Sequence, residues 1–368
     1  HLAQGAAAEL VQGGRVGPGR AQVGQRQGVE HGLRAAVIEF WHGKFGEKLA
    51  VWLLAFSTAV VAVQLFVVSG LLDVSTARQL SSRGSLSGAL IGGLIFGVGM
   101  VMTRGCASRL LVLSANGNLR ALLSGLIFAV TAQASLSGVL SPWRETIAGW
   151  WTVDGGPARS LLAVVGVGPM DGLAFAAVWL VTALFFAYYS GWGFWKWAGG
   201  IGTGLAVALA WLATYQVLAH SFEPVQVQGM TFSGPSAEWL MRVLSNPNDP
   251  WNFDLGLMPG VFLGSLIGAL VGRDWKLEGF GGGYTMPRYI IGAVLMGFGS
   301  MLAGGCAVGA GMTGGAIFAV TAWVTLVGMW VGGGVADRVF DGAHKPAPAP
   351  APSPEPAPLA ASAPTAAP

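Results

Sequence analysis

Residues 289–336 read YIIGAVLMGFGSMLAGGCAVGAGMTGGAIFAVTAWVTLVGMWVGGGVA, 48 consecutive positions without a charged side chain. One bilayer crossing takes about 20 apolar residues. The run is too long for one helix and suits two spans with a broken segment between them. The break falls at 304–315, GGCAVGAGMTGG, where glycines and one cysteine interrupt the larger apolar residues.

The same ruler reads the rest of the chain. Charge-free runs at 49–72, 84–103, 121–143, 172–195, 197–222 and 255–272 each suit one span. With the two spans of 289–336, they define an all-α, polytopic helical membrane protein of about eight spans. Composition agrees. Charged residues are 10% of the chain, against about 25% in a soluble domain. Glycine is heavy, 58 of 368 residues, as in tightly packed membrane helices. These features exclude a disordered chain, a secreted disulfide scaffold and a nucleic-acid-binding domain. The net charge is only +3, and loop placement explains it. Placing the N-terminus in the cytoplasm puts 15 of the 20 basic residues in inside segments. An N-in, C-in orientation is therefore expected.

The ends read differently from the middle. Residues 1–40, rich in Gly, Gln and Arg, are expected to be a disordered or mis-assigned N-terminal segment. Residues 41–340 form the transmembrane domain. Residues 346–368 alternate Pro and Ala and read as an extended, disordered tail.

Inside the domain a segment repeats at an offset of 200. Residues 92–107, GGLIFGVGMVMTRGCA, match 292–307, GAVLMGFGSMLAGGCA, at six of 16 positions. The chain has only two cysteines, Cys106 and Cys306, and both fall on equivalent positions. The copies lie on spans two and seven, so they run in opposite directions: an inverted-topology repeat. After each cysteine the apolar chain stops early, at 107–115 and 307–315, too short to span. Each is read as a re-entrant half-helix, tolerated at membrane depth where it lines a cavity or is buried in protein. A second echo, FAVTA at 128–132 and 318–322, has an offset of 190 and stands as a gapped continuation or a coincidence.

Four roles are open to the two cysteines. They could be small packing residues, a disulfide if within about 6–7 Å, part of a metal site, or thiols lining a substrate path. Two cysteines do not complete a tetrahedral metal set, and the five histidines lie in tails or at span ends. A buried thiol stays neutral and does not repel an anion; its sulfur is soft and its S–H a weak donor. That chemistry suits an anion with a soft sulfur, such as a thiosulfate-like oxyanion. The neighbouring Gly105, Gly304 and Gly305 let backbone N–H groups approach, and half-helix N-termini favour negative charge. Arg104 and Arg109 flank Cys106, where the second copy has Gly304 and Gly309. The two cations can attract an anion or serve as positive-inside anchors.

Together GxGxxxxRGCASRLL (97–111), GNLR (117–120) and GGCAVGAGMTG (304–314) resemble the YeeE/YedE family of sulfur-transport membrane proteins. The resemblance covers roughly residues 50–340. It implies a pseudo-symmetric helical protein of the bacterial inner membrane, with an hourglass-like constriction. It also implies that Cys106 and Cys306 relay thiosulfate through S–H···S contacts. On this reading the substrate-binding set is Cys106, Cys306, Gly105, Gly305, Gly304, Arg104 and Arg109. No cofactor or metal is required, and the lipid bilayer and the sulfur anion are the partners. Some relatives carry a further cysteine near the first span; this chain has none there. Some work with a small sulfur-carrier protein, which here would be a separate cytoplasmic chain. The alternative is a membrane sulfurtransferase or thiol-redox enzyme that forms a cysteine persulfide.

Overall fold

The computed structural model describes residues 32–43, 46–189, 194–220, 226–245, 252–280 and 286–341. The Pro/Ala tail and most of the N-terminal segment lie outside them. The described chain is helical, apart from one antiparallel pairing of β1 (Gly84–Ser85) with β2 (Thr152–Val153). The helices are α1 (Leu33–Trp41), α2 (Glu47–Val68), α3 (Arg78–Ser81), α4 (Leu86–Met102), α5 (Ala107–Ala115), α6 (Leu119–Ser137) and α7 (Ser141–Gly149). They continue as α8 (Leu161–Val165), α9 (Pro169–Tyr189), α10 (Phe194–His220), α11 (Ser233–Leu244), α12 (Phe253–Gly272), α13 (Met286–Ala303) and α14 (Val320–Ala336). Among the described residues eight helical segments are long and apolar enough to cross a bilayer, one in each charge-free span read from the sequence. The protein is an all-α polytopic membrane protein.

The repeat is antiparallel in space. A Cβ built on Gly92 of α4 would meet the Gly299 carbonyl of α13 at 2.7 Å; one on Gly99 would meet the Gly292 carbonyl at 2.5 Å. Since 299 is 99 plus 200 and 292 is 92 plus 200, the two contacts are one contact seen from both sides. That is the mark of a two-fold related pair. Each core helix also takes a second neighbour through a matched glycine. Gly97 abuts the Met329 carbonyl of α14 at 2.5 Å, and Gly297 abuts the Phe128 carbonyl of α6 at 2.8 Å. Glycine is required at these crossings because backbone lies where a side chain would start. Phe128 and Met329 thus occupy equivalent places, an offset of 201. The FAVTA echo is a coincidence: its first copy lies within α6, and its second straddles the start of α14.

Both excursions after the core helices close on themselves. Arg120, at the start of α6, donates to the Thr103 carbonyl at 3.1 Å. Thr325 of α14 donates to the Ala303 carbonyl at 3.4 Å. The half-helices between are α5 and a π-helix over Ala307–Gly314. Asn118 caps α6 by accepting from the Ala121 N–H at 2.9 Å. In α12, Pro259 cannot donate to the carbonyl four residues back, that of Leu255. The Trp239 indole supplies the missing donor at 2.8 Å.

The ordered fold begins before residue 41. The expectation for 1–40 is corrected at its last residues, where Leu33–Trp41 is a helix. Leu33, Ala36 and Val37 are spaced for one helical face and are each at most 2% exposed. Their pattern was masked by the Gly-, Gln- and Arg-rich residues upstream. Three contacts fix α1 to the end of the chain: Trp41 Nε1 to the Trp330 carbonyl at 2.9 Å, His42 to Asp337 at 2.7 Å, and Arg34 to Asp341 at 3.6 Å. We call this side the terminal face and the opposite side the far face.

Candidate functional site

Both cysteine turns are built alike. The Gly105 N–H bonds the Met100 carbonyl at 3.1 Å, and the Gly305 N–H bonds the Ser300 carbonyl at 2.9 Å. These six-to-one bonds end α4 and α13 in Schellman turns, whose penultimate residue must be left-handed. That residue is Arg104 at φ 58° in one copy and Gly304 at φ 79° in the other. The cysteines follow with the same extended backbone, φ −84° for Cys106 and −82° for Cys306. Each then caps its half-helix through its carbonyl, which accepts from Leu110 at 2.9 Å and from Ala310 at 2.8 Å. A helix C-terminus and a helix N-terminus therefore meet at each thiol. The thiols are free, with no disulfide between them, and both belong to one apolar core. Among the described residues no three His, Cys, Asp or Glu cluster as a metal site.

On the far face lies a recess of about 320 Å³, its open mouth included; Cys306 stands behind its Thr231 and Gly304 wall. Arg78, Gln79, Trp211, Gly229, Thr231 and Gly304 line it. The thiol is 1% exposed. Thr231 Oγ1 stands 4.0 Å from its sulfur. Thr231 comes from 226–232, an irregular strip between α10 and α11. Thr214 and Thr313 hold that strip, donating to the Gln228 and Met230 carbonyls at 2.7 Å each. Arg159 braces the rim: its guanidinium donates to the Ser82 carbonyl at 2.6 Å and to Thr321 Oγ1 at 2.7 Å. Burial first, and then the Arg78 charge, hold Arg159 below the usual guanidinium range.

On the terminal face a recess of about 210 Å³, mouth included, leads to Cys106. Its lining is Gly32, Arg34, Ala35, Arg104, Cys106 and Arg109. Cys106 Sγ lies 3.3 Å from Ser108 Oγ and is 7% exposed. Of the residues singled out from the sequence, Arg104, Arg109 and Cys106 thus share one recess, and Gly304 lines the other beside Cys306. Gly105 and Gly305 line neither. A Cβ on Gly305 would meet the Ala310 amide nitrogen at 2.8 Å, whereas one on Gly105 has ordinary contacts from 3.4 Å. Gly305 is sterically required; nothing in the structure forces Gly105.

The sequence reading missed Arg34, Gln79, Trp211 and Thr231. Arg34 lay in the segment set aside as disordered. The other three sit on separate elements and carry no local pattern.

Two antiparallel copies of one unit, with a recess approaching a thiol from each face, are the architecture of inverted-repeat membrane transporters. The sequence matches the family described as Sulphur transport over residues 30–335, and the chain belongs to that family. It is similar to the thiosulfate transporter TsuA of Spirochaeta thermophila, 27% identical over 290 residues, covering 77% of this chain and 86% of that protein. It is also similar to the thiosulfate transporter TsuA of Escherichia coli, 24% identical over 302 residues, covering 76% of this chain and 80% of that protein.

Proposed function

We propose that this protein carries thiosulfate across the bacterial inner membrane, with the terminal face toward the cytoplasm, and that the ion passes Cys306 and then Cys106. One observation carries the reading. The two equivalent thiols stand at two helix breaks; Cys106 lines the recess of the terminal face, and Cys306 stands behind Thr231 of the recess of the far face. Thiosulfate, for which those relatives are named, fits the chemistry of those recesses.

A neutral thiol offers its weak S–H to the ion's terminal sulfur. Beside Cys306 the Thr231 hydroxyl offers a second weak, neutral contact. Binding of that kind is loose enough to be left, as passage requires. At Cys106 the guanidinium groups of Arg104 and Arg109 draw the ion toward the terminal face. A separate small sulfur-carrier protein is the expected recipient there. No cofactor enters this scheme, and the thiols are not consumed.

The test is uptake of labelled thiosulfate into proteoliposomes. Cys106→Ala and Cys306→Ala should each abolish uptake while the purified variants keep their thermal unfolding temperature. Normal uptake by both would overturn the reading. Mass spectrometry of the cysteines after turnover separates it from the sulfurtransferase alternative: a transporter returns unmodified thiols, a sulfurtransferase leaves a persulfide.

A further inference from the structure

The far recess contains a hydrogen-bond donor that the fold leaves unused. Trp211, on α10, is 1% exposed, and its indole Nε1 has no partner. Its neighbour across the recess wall is Gly229, whose built Cβ would meet Nε1 and Cε2 at 2.7 Å. With no side chain at Gly229, no Cβ blocks the N–H edge of this buried ring. The other polar groups of the recess are engaged or exposed. Gln79 Nε2 donates to the Gly309 carbonyl at 3.2 Å. Thr231 Oγ1 is shared between Ser233 Oγ at 3.4 Å and the Cys306 sulfur, and Arg78 is at the exposed rim. Among the described residues lining the recess, Trp211 Nε1 is the one buried side-chain N–H donor without an acceptor.

We propose that the Trp211 indole N–H is the oxyanion anchor of this recess, and with Cys306 makes it a two-ended site that reads oxygen at one end and sulfur at the other. This rests on the thiosulfate reading above and adds the residue that sets selectivity. An indole N–H only donates. It gains from an ion that brings an oxygen acceptor and gains little from a sulfur-only anion such as hydrosulfide. The soft sulfur of Cys306 makes the opposite distinction, against sulfate. Thiosulfate satisfies both ends. The unpaired Oε1 of Gln79 is an acceptor, so it suits a water accompanying the ion rather than the ion itself.

Uptake of labelled thiosulfate into proteoliposomes, with hydrosulfide as competitor, tests this. Trp211→Phe keeps the ring's bulk and removes the N–H. It should raise the half-saturation concentration for thiosulfate roughly tenfold, the loss of one hydrogen bond to a charged group. The maximal rate and the inhibition by hydrosulfide should stay near wild type. Trp211→His, which keeps a ring N–H, should recover part of the affinity. An unchanged half-saturation concentration in Trp211→Phe would overturn the proposal, as would equal weakening toward both anions. If Trp211→Phe fails to fold, Gly229→Ala combined with Thr313→Ser tests the same point: the serine removes the methyl that the new Cβ would meet, keeps the hydroxyl bond to Met230, and leaves the Cβ pressing on the N–H edge. Weakened thiosulfate affinity with normal hydrosulfide inhibition supports the proposal, and wild-type affinity overturns it. Absence of uptake by the wild type would instead remove the thiosulfate reading, a distinct outcome.

Discussion

The turn at 103–106 and the turn at 303–306 share their hydrogen bonds and their cysteine backbone, and they differ in side chains. The first carries Arg104 and Arg109; the second carries Gly304 and Gly309. The difference follows what each turn faces. Gly309 is pressed against Thr231, with a built Cβ 2.8 Å from the threonine Cβ, so no arginine could fit there. Arg109 instead borders an open recess with Arg34 and Arg104. The backbone repeats because both turns must end a core helix and start a half-helix. The side chains diverge because one recess is lined largely by neutral donors and the other by three guanidinium groups.

The largest expected effect is on transport. Cys306 is enclosed and Cys106 is next to a charged mouth, so Cys306→Ser should reduce thiosulfate uptake more than Cys106→Ser. Equal rates would show that the surroundings do not distinguish the two thiols. The next test addresses the packing symmetry. Gly99→Leu and Gly299→Leu push against reciprocal backbone contacts, so each should lose about 3 kcal/mol of stability. Thermal unfolding in detergent would expose an asymmetric core if only one of them did.

Closure of the two excursions gives a graded pair. Arg120→Met removes a charged donor from the Thr103 carbonyl, worth about 2 kcal/mol. It also removes the contact of that guanidinium with the Tyr289 ring, 4.6 Å from its centroid. Thr325→Val removes a longer, neutral bond and should cost about 1 kcal/mol. Denaturation with the order reversed would mean the second excursion depends on its closing bond more than the first. The smallest effect has the opposite sign. Arg104 holds a left-handed backbone that costs a non-glycine residue about 1 kcal/mol. Arg104→Gly should therefore stabilise the protein by about that amount while slowing uptake; Gly304→Ala should destabilise it by a similar amount. A fall in unfolding temperature for Arg104→Gly would show that the guanidinium contributes more to the fold than its backbone strain costs.

Much of this was legible in the sequence because the bilayer imposes a simple rule. Charge-free runs of a set length had to become spans, and the eight helices follow them. The cysteine repeat was legible because 92–107 and 292–307 are each continuous, and matched glycines mark crossings where backbone meets backbone. The helix at Leu33–Trp41 was missed because nine residues with one buried face look unremarkable behind a polar stretch. FAVTA stayed open between two readings for a related reason: five small or apolar residues recur easily, and only their helix partners show whether the places are equivalent.

By itself, then, the sequence determined the number of spans, the inverted repeat and the two thiols. Each is written in local hydrophobicity or in a contiguous motif. Tertiary structure alone decided that Arg34 joins Cys106, and that Trp211, Thr231 and Gln79 converge near Cys306. Those groups come from α1, α3, α10 and the strip at 226–232, far apart in the chain. No periodicity links them; they meet because helices held close by glycine leave only small gaps, and whatever side chains border a gap define its chemistry.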